Sequence, residues 1–272
     1  MFRRPIITLL SDFGLKDSYV AEMKAVILSI LPDAQIVDIS HEVRKFDVRM
    51  GAFLLARAAP FFPRGTVHVA IVDPGVGTTR RPIIVETERS FYVGPDNGIL
   101  MLSARREGIR HAYVIENEKY MLKNISRTFH GRDIFAPVAA HIAAGIPPSE
   151  MGSEVHDLVT PSFTEPKLSE NSVEGEIIHV DDFGNLVTNI TENDLRILGI
   201  TEGNHLLFEF GRKRLLLKIC KAYGEVQVGA PLAIIGSCNL LEISVNQGNA
   251  SKLFGLDVGA KIVMYKIGKE TR

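Results

Sequence analysis

Short apolar runs alternate with longer amphipathic stretches through the first half of the chain, and that alternation predicts its architecture. Ile6 to Leu10, Ile36 to Ile39, Val67 to Val72 and Ile83 to Val85 are rich in β-branched residues and bounded by Pro, Gly or Asp, the pattern of buried strands. Between them the period lengthens. Val20, Met23, Ile27 and Ile30 recur at helical spacing after Asp17, which is placed to cap a helix that Pro32 stops. Asp47 is placed to cap a second helix carrying Met50, Leu54 and Leu55, and a further helix is predicted around Phe135 to Ala144. Strands alternating with helices predict an α/β domain over residues 1–160, with a mainly parallel or mixed sheet and flanking helices.

The texture then changes. Residues 161–172 carry two prolines and no apolar period, which predicts a linker. Over residues 173–272, Glu176 to Val180, Leu206 to Phe210, Leu215 to Ile219 and Lys261 to Tyr265 are separated by Gly- and Asn-bearing turns at hairpin spacing. This predicts a smaller, all-β, barrel-like or sandwich domain.

Composition narrows the function. With 46% hydrophobic and 23% charged residues over 272 positions, the chain reads as folded and globular. Lys and Arg number 31 against 32 Asp and Glu, so no bulk positive field favours nucleic acid or an anionic membrane as partner. No apolar run reaches the roughly 18 residues of a membrane span, and the N-terminal residues lack a signal-peptide pattern, so a cytoplasmic location is expected. Cys220 and Cys238 are too few for a disulfide framework and lack zinc spacing, which predicts small core residues.

Several familiar motifs fail. Asp12-Phe13-Gly14 and Asp182-Phe183-Gly184 spell a kinase tripeptide, but the glycine-rich loop, strand lysine and His-Arg-Asp of kinases are missing. Gly75-Val76-Gly77 lacks the third glycine of a dinucleotide fingerprint, and His41-Glu42 lacks the second histidine of a zincin helix. No metal site is predicted. What remains is a polar set where strands should end: Asp12, Asp73, the following Arg80 and Arg81, and His130 at the start of a predicted helix. Asp73-Pro74-Gly75 also makes a good turn, and a lone His at a helix start is often structural. Together, however, a carboxylate, a guanidinium and an imidazole can hold and deprotonate a water. In the second half, Asp181, Asn185 and Asn189 fall in one predicted hairpin, and Ser237, Asn239, Glu242 and Asn246 in another. Such amides either serve the backbone or read the edge of a purine.

Seven ordered segments then bear a resemblance to a known family: SDFGLKDSYV (11–20), PDAQIVDIS (32–40), FFPRGTVHVAIVDPGVG (61–77), YVGPDNGIL (92–100), FHGRDIFAP (129–137), DDFGNLVTNI (181–190) and GSCNLLEISVNQGNA (236–250). The chain resembles the S-adenosylmethionine hydroxide adenosyltransferases, relatives of the fluorinase and chlorinase enzymes, over nearly its whole length. The resemblance implies hydrolysis of S-adenosyl-L-methionine to adenosine and L-methionine, with no cofactor beyond that substrate. It also implies a homotrimer whose active sites lie between subunits. Catalytic roles carry over to Asp73, Arg80 and His130, with Arg80 chosen over Arg81 by its spacing after Asp73. Asp12 is implied at the ribose hydroxyls, Phe46 beside the ribose, Asp17 and Asp181 at the methionine portion, and Ser237 near its carboxylate. Tyr223 is implied to stack on adenine, with Asn185 and Glu242 at its edge. Two alternatives stay open: a protein that binds or senses S-adenosylmethionine or adenosine without catalysis, and a halide-using relative. The halogenase pattern has Tyr at positions 73 and 130, Ser at position 131, and a longer insertion in the region that here is Glu86 to Ser90.

Overall fold

The computed structural model describes residues 4–161, 165–211 and 213–267. Of the predicted linker, residues 162–164 therefore lie outside the described residues. The chain divides into two compact units, residues 1–162 and 163–272.

The first unit is a six-stranded mixed sheet in the order β2-β1-β3-β5-β4-β6. Its strands are β1 (Ile6–Ser11), β2 (Gln35–Ser40), β3 (Val67–Ile71), β4 (Pro82–Thr87), β5 (Phe91–Pro95) and β6 (Ile109–Val114). β2, β1, β3 and β5 run parallel, and β4 is antiparallel to both β5 and β6. Helices α1 (Tyr19–Ile30), α2 (Val48–Ala58), α3 (Met101–Glu107) and α4 (Ala136–Ala143) accompany it. Both faces of the sheet are apolar, so each needs a cover. Ile7, Leu9, Val67, Val69 and Ile71 pack with Met23 and Ile27 of α1 and Val138 and Ile142 of α4. Leu10, Ala70, Val72, Ile83 and Val85 face the other way, against Leu55 of α2 and Ala104 of α3.

Three local expectations change. Asp17 does not cap α1: Ser18 holds that position, and its hydroxyl donates to Glu22 at 2.6 Å. β2 is an edge strand with mostly exposed or half-buried residues, because only β1 pairs with it, and it is not the buried strand that its apolar run predicts. The segment read as linker contains a two-residue strand, β7 (Lys167–Leu168), paired with Glu174 and Val173. The cap at Asp47 holds, its carboxylate accepting from Met50 N at 2.9 Å.

The second unit comprises β7, β8 (Ser172–Val180), β9 (Leu186–Thr191), β10 (His205–Phe210), β11 (Lys213–Cys220), β12 (Pro231–Ile235), β13 (Leu240–Val245) and β14 (Lys261–Lys266), with short helices α5 (Glu192–Ile197) and α6 (Ala250–Phe254). Pairing runs β14-β10-β11-β12-β13-β9-β8 and returns from β8 to β14. Seven strands thus close on themselves, which removes free edges and makes this unit a barrel rather than a sandwich. One pair, β11 with β12, is parallel. Val173, Ile177, Leu206, Phe208, Leu241, Ile243 and Met264 are among the buried side chains that pack its core. Among the described residues no helix is long and apolar enough to cross a membrane.

Candidate active site

The parallel register of β1 and β3 sets Ser11 beside Ile71, so Asp12 and, after Val72, Asp73 leave the sheet at the same end. This is the carboxyl end of the strands, where open α/β sheets bind ligands. A cleft of about 370 Å³ opens there, lined among others by Asp12, Asp17, Phe46, Asp73 and His130.

Asp73 and Arg80 form a bidentate ion pair. Arg80 Nε donates to both carboxylate oxygens at 3.0 and 2.9 Å, and Nη2 donates to Oδ2. The two side chains are only 6% and 10% exposed, so the pair is shielded from solvent. The same Nη2 donates to His130 Nδ1 at 2.9 Å, and the guanidinium lies 5.2 Å above the Phe135 ring. A guanidinium has donors only, so Nδ1 is the acceptor and the neutral ring carries its proton on Nε2. Burial pushes the His130 imidazole below its ordinary value, and the positive Arg80 adds to that shift. Arg81 points elsewhere, donating to Asp96 at 2.9 and 2.6 Å and to Asp157 at 2.8 Å.

Local backbone form brings these groups together. His130 precedes a π-helical turn, Gly131–Phe135, that leads into α4; such turns are frequent at functional sites. The loop between Asp73 and Arg80 passes very close to the chain at Arg127. Gly77 has φ +74°, and a Cβ there would stand 2.3 Å from the Arg127 carbonyl oxygen, so this approach requires glycine.

The other wall is built on Asp12, which is 6% exposed. Its Oδ2 accepts from Phe46 N at 2.9 Å, and Lys45 Nζ donates to its carbonyl oxygen. Phe46 has φ +66°, a strained conformation for a non-glycine residue, and its ring is 70% exposed at the cleft. Phe13, Tyr19 and Phe129 complete an aromatic wall, with Tyr19 and Phe129 rings edge-to-face at 5.0 Å. Lys45 and these aromatics are cleft residues that the sequence reasoning missed. Their signal was adjacency: Lys45 flanks Phe46, Phe13 follows Asp12 and Phe129 precedes His130.

In the second unit the residues form separate groups. Asp181 accepts from Asn185 through both the backbone N–H and the side-chain amide, each at 2.9 Å, in the turn between β8 and β9. Tyr223 donates its hydroxyl to Glu242 at 3.2 Å. Ser237 lies in the turn between β12 and β13. Since Leu240 pairs with Thr191 and Ile243 with Leu186, the Ser237 turn and the Asp181 turn sit at opposite ends of the β9–β13 ladder. The structure joins Asp181 to Asn185 within one turn. Asn189 and Asn246 serve the backbone, the first accepting from Glu176 N at 2.8 Å and the second donating to Val226 O at 2.7 Å.

Fold and site bring a fixed carboxylate, guanidinium and imidazole together at one cleft, groups that are able to handle a proton. The chain belongs to the SAM hydroxide adenosyltransferase family: the model of its N-terminal domain matches residues 7–152 and that of its C-terminal domain residues 175–263. It is 39% identical over 266 residues to the (R)-S-adenosyl-L-methionine hydrolase of Thermus thermophilus, covering 95% of this chain and 98% of that one. The (R)-S-adenosyl-L-methionine hydrolase of Methanocaldococcus jannaschii is 38% identical, with 93% and 92% covered. A crystal structure of an uncharacterized conserved protein from Thermotoga maritima superposes with a TM-score of 0.92 at 40% identity, covering 96% of this chain and all of that one.

Proposed function

We propose that this protein hydrolyses S-adenosyl-L-methionine to adenosine and L-methionine by in-line attack of water on the ribose C5′. The observation that carries this reading is the Asp73–Arg80–His130 hydrogen-bonded chain, with Asp73 and His130 lining one cleft. The names of the relatives support it and specify the (R) sulfonium epimer, which we take as the preferred substrate.

The chemistry places its demand on the nucleophile. The C5′–S bond breaks with its electron pair going to sulfur, so methionine leaves as a neutral thioether and needs no acid. Water has a pKa of about 15.7 in bulk and must lose a proton as it attacks. The Nε2–H of His130 donates to that water and orients its lone pair, while Asp73 takes the proton as the C–O bond forms. Arg80 holds both partners at fixed positions, so the acceptor is placed before the reaction begins. Asp12 binds the ribose hydroxyls beside Phe46, and Asp17 lies toward the methionine portion.

Asn185, Tyr223, Glu242 and Ser237 form the complementary half, reading adenine and the methionine carboxylate. Asp181, which also holds Asn185 in its turn, lies toward the methionine portion. We assign the complete site to a homotrimer in which the cleft of one subunit meets the second unit of a neighbour. The support is the family resemblance and the separation of proton-handling groups from purine-edge amides along the chain. Chromatography after incubation with each sulfonium epimer tests the reaction: adenosine and methionine should appear in equal amounts, faster from the (R) epimer. Saturable binding without adenosine release would identify a sensor instead. Light scattering tests the assembly, with a trimer of the 30.0 kDa chain expected at about 90 kDa; a fully active monomer would overturn it.

A further inference from the structure

Behind the cleft lies a second chain of polar groups that the proposed reaction leaves unused. Ser11 Oγ, at the end of β1, stands 2.7 Å from His41 Nδ1, and both residues are buried, at 1% and 4% exposure. On the far side of the ring, His41 Nε2 is 3.1 Å from Asp38 Oδ1, close enough for charge attraction but without hydrogen-bond alignment. Asp38 Oδ2 in turn accepts from Lys24 Nζ of α1 at 2.6 Å. The order Ser, His, Asp is that of a hydrolytic triad, but a hydroxyl sealed in the interior has no access to a substrate and cannot act as a nucleophile.

Its bonds point to another task. Ser11 Oγ accepts from Phe13 N at 3.3 Å, the His41 carbonyl accepts from Gly14 N at 2.7 Å, and the Ser11 carbonyl accepts from Val43 N at 3.4 Å. These contacts tie the loop after β1, which carries Asp12 and Phe13, to the loop after β2, which carries Lys45 and Phe46. The two loops meet again in the cleft, where Phe46 N donates to Asp12 Oδ2. With a ring proton on Nε2, on the side facing Asp38, Nδ1 is left to accept from the Ser11 hydroxyl. The hydroxyl lone pairs are then free for Phe13 N.

We propose that His41 is a positioning residue for the ribose-binding loop: anchored by Asp38, it holds Ser11 and thereby fixes the direction in which Asp12 presents its carboxylate. This rests on the reading that Asp12 binds the ribose. The ring acts on ground-state binding and not on the attacking water, so its loss should appear in KM and not in kcat. Three variants test it: Ser11→Ala, His41→Phe and His41→Asn, whose amide reaches the place of Nδ1 and keeps a partner for Ser11. Ser11→Ala and His41→Phe should raise KM about tenfold with kcat within about threefold, and His41→Asn should recover most of the loss. An unchanged KM in Ser11→Ala, or a fall in melting temperature alone in both disruptive variants, overturns the proposal. Should His41→Phe fail to fold, Ser11→Ala decides, since it removes one oxygen atom. Calorimetry with adenosine reads the same ribose contact without turnover. Wild-type protein that binds adenosine yet leaves S-adenosylmethionine intact would therefore refute the reaction, while weakened adenosine binding in Ser11→Ala would still support the role of His41.

Discussion

Asp73 in the first unit and Asp181 in the second both commit both carboxylate oxygens, yet to different ends. Asp73 is gripped by the guanidinium of Arg80, which also holds His130 at the cleft. Asp181 is gripped by the backbone and amide of Asn185, four residues on in its own turn. The first arrangement links distant chain segments, Asp73 and Arg80 on one side and His130 on the other. The second closes a local turn that any short hairpin needs. Residue type is the same in both; the partners differ, a guanidinium shared with an imidazole in one and a neighbouring amide in the other.

The largest test of this contrast is Asp73→Asn, which keeps the shape but removes the proton acceptor. Turnover should fall by about 10²–10⁴-fold with ligand affinity nearly unchanged, read by kinetics alongside calorimetry. A wild-type rate would remove Asp73 from the mechanism. His130→Ala should also lower kcat, by about 10²-fold, and spare affinity. Asp12→Ala should behave in the opposite way. Loss of a charge-assisted contact of about 1.5–3 kcal/mol weakens substrate binding by roughly 10–100-fold while kcat changes less. Equal kcat loss in Asp12→Ala and Asp73→Asn would erase the distinction between binding and proton transfer.

A smaller effect is expected at Asp181→Ala. Breaking the turn should cost about 1 kcal/mol and lower the melting temperature by a few degrees, and loss of a contact to the methionine portion should raise KM by roughly tenfold. A lowered melting temperature with an unchanged KM would instead leave Asp181 as a residue of its turn alone. The smallest effect concerns pH. The folded His130 imidazole lies below its ordinary 6.5, so the neutral ring that accepts from Arg80 persists as pH falls past that value. Protonation at lower pH makes Nδ1 a donor and breaks this contact, so the acid limb of kcat/KM should fall with a midpoint under 6.5. The same sign applies to stability: the unfolded chain binds the proton first, so stability declines as pH drops from 6.5 toward the folded value. A midpoint above 6.5 would contradict the burial of this ring beside Arg80.

Much of the first unit was legible because a sheet covered on both faces writes mostly apolar residues, as in β1 and β3, where the buried Thr8 and His68 bond each other at 2.8 Å. β5 and β6 were harder to read: Gly94 and Pro95 interrupt one, and Arg110 and His111 on the other suit an edge. Spacing along the resemblance points to Arg80 over its neighbour; in space Arg80 reaches Asp73 and His130, while Arg81 turns to Asp96 and Asp157. In the second unit, the turn chemistry of Asn and Asp could not separate ligand contacts from backbone contacts, because both use the same donors and acceptors. The buried His41 looked like a failed metal motif, since its partners Ser11 and Asp38 are brought to it by β1 and β2 pairing in parallel.

The choice of water over halide is the claim on which the account turns. Arg80 neutralises Asp73, so charge repulsion alone does not exclude an anion. Position 131 weighs more: it is glycine and lacks the hydroxyl donor of the halogenase pattern, and a Cβ there would stand 3.2 Å from Phe129 and 3.3 Å from both Ile71 and Met23. Turnover of S-adenosyl-L-methionine in oxygen-18 water, followed by mass spectrometry, tests this most directly. The account predicts the label in the 5′-hydroxyl of adenosine; 5′-chloro- or 5′-fluoro-adenosine as the main product in halide buffer would contradict it.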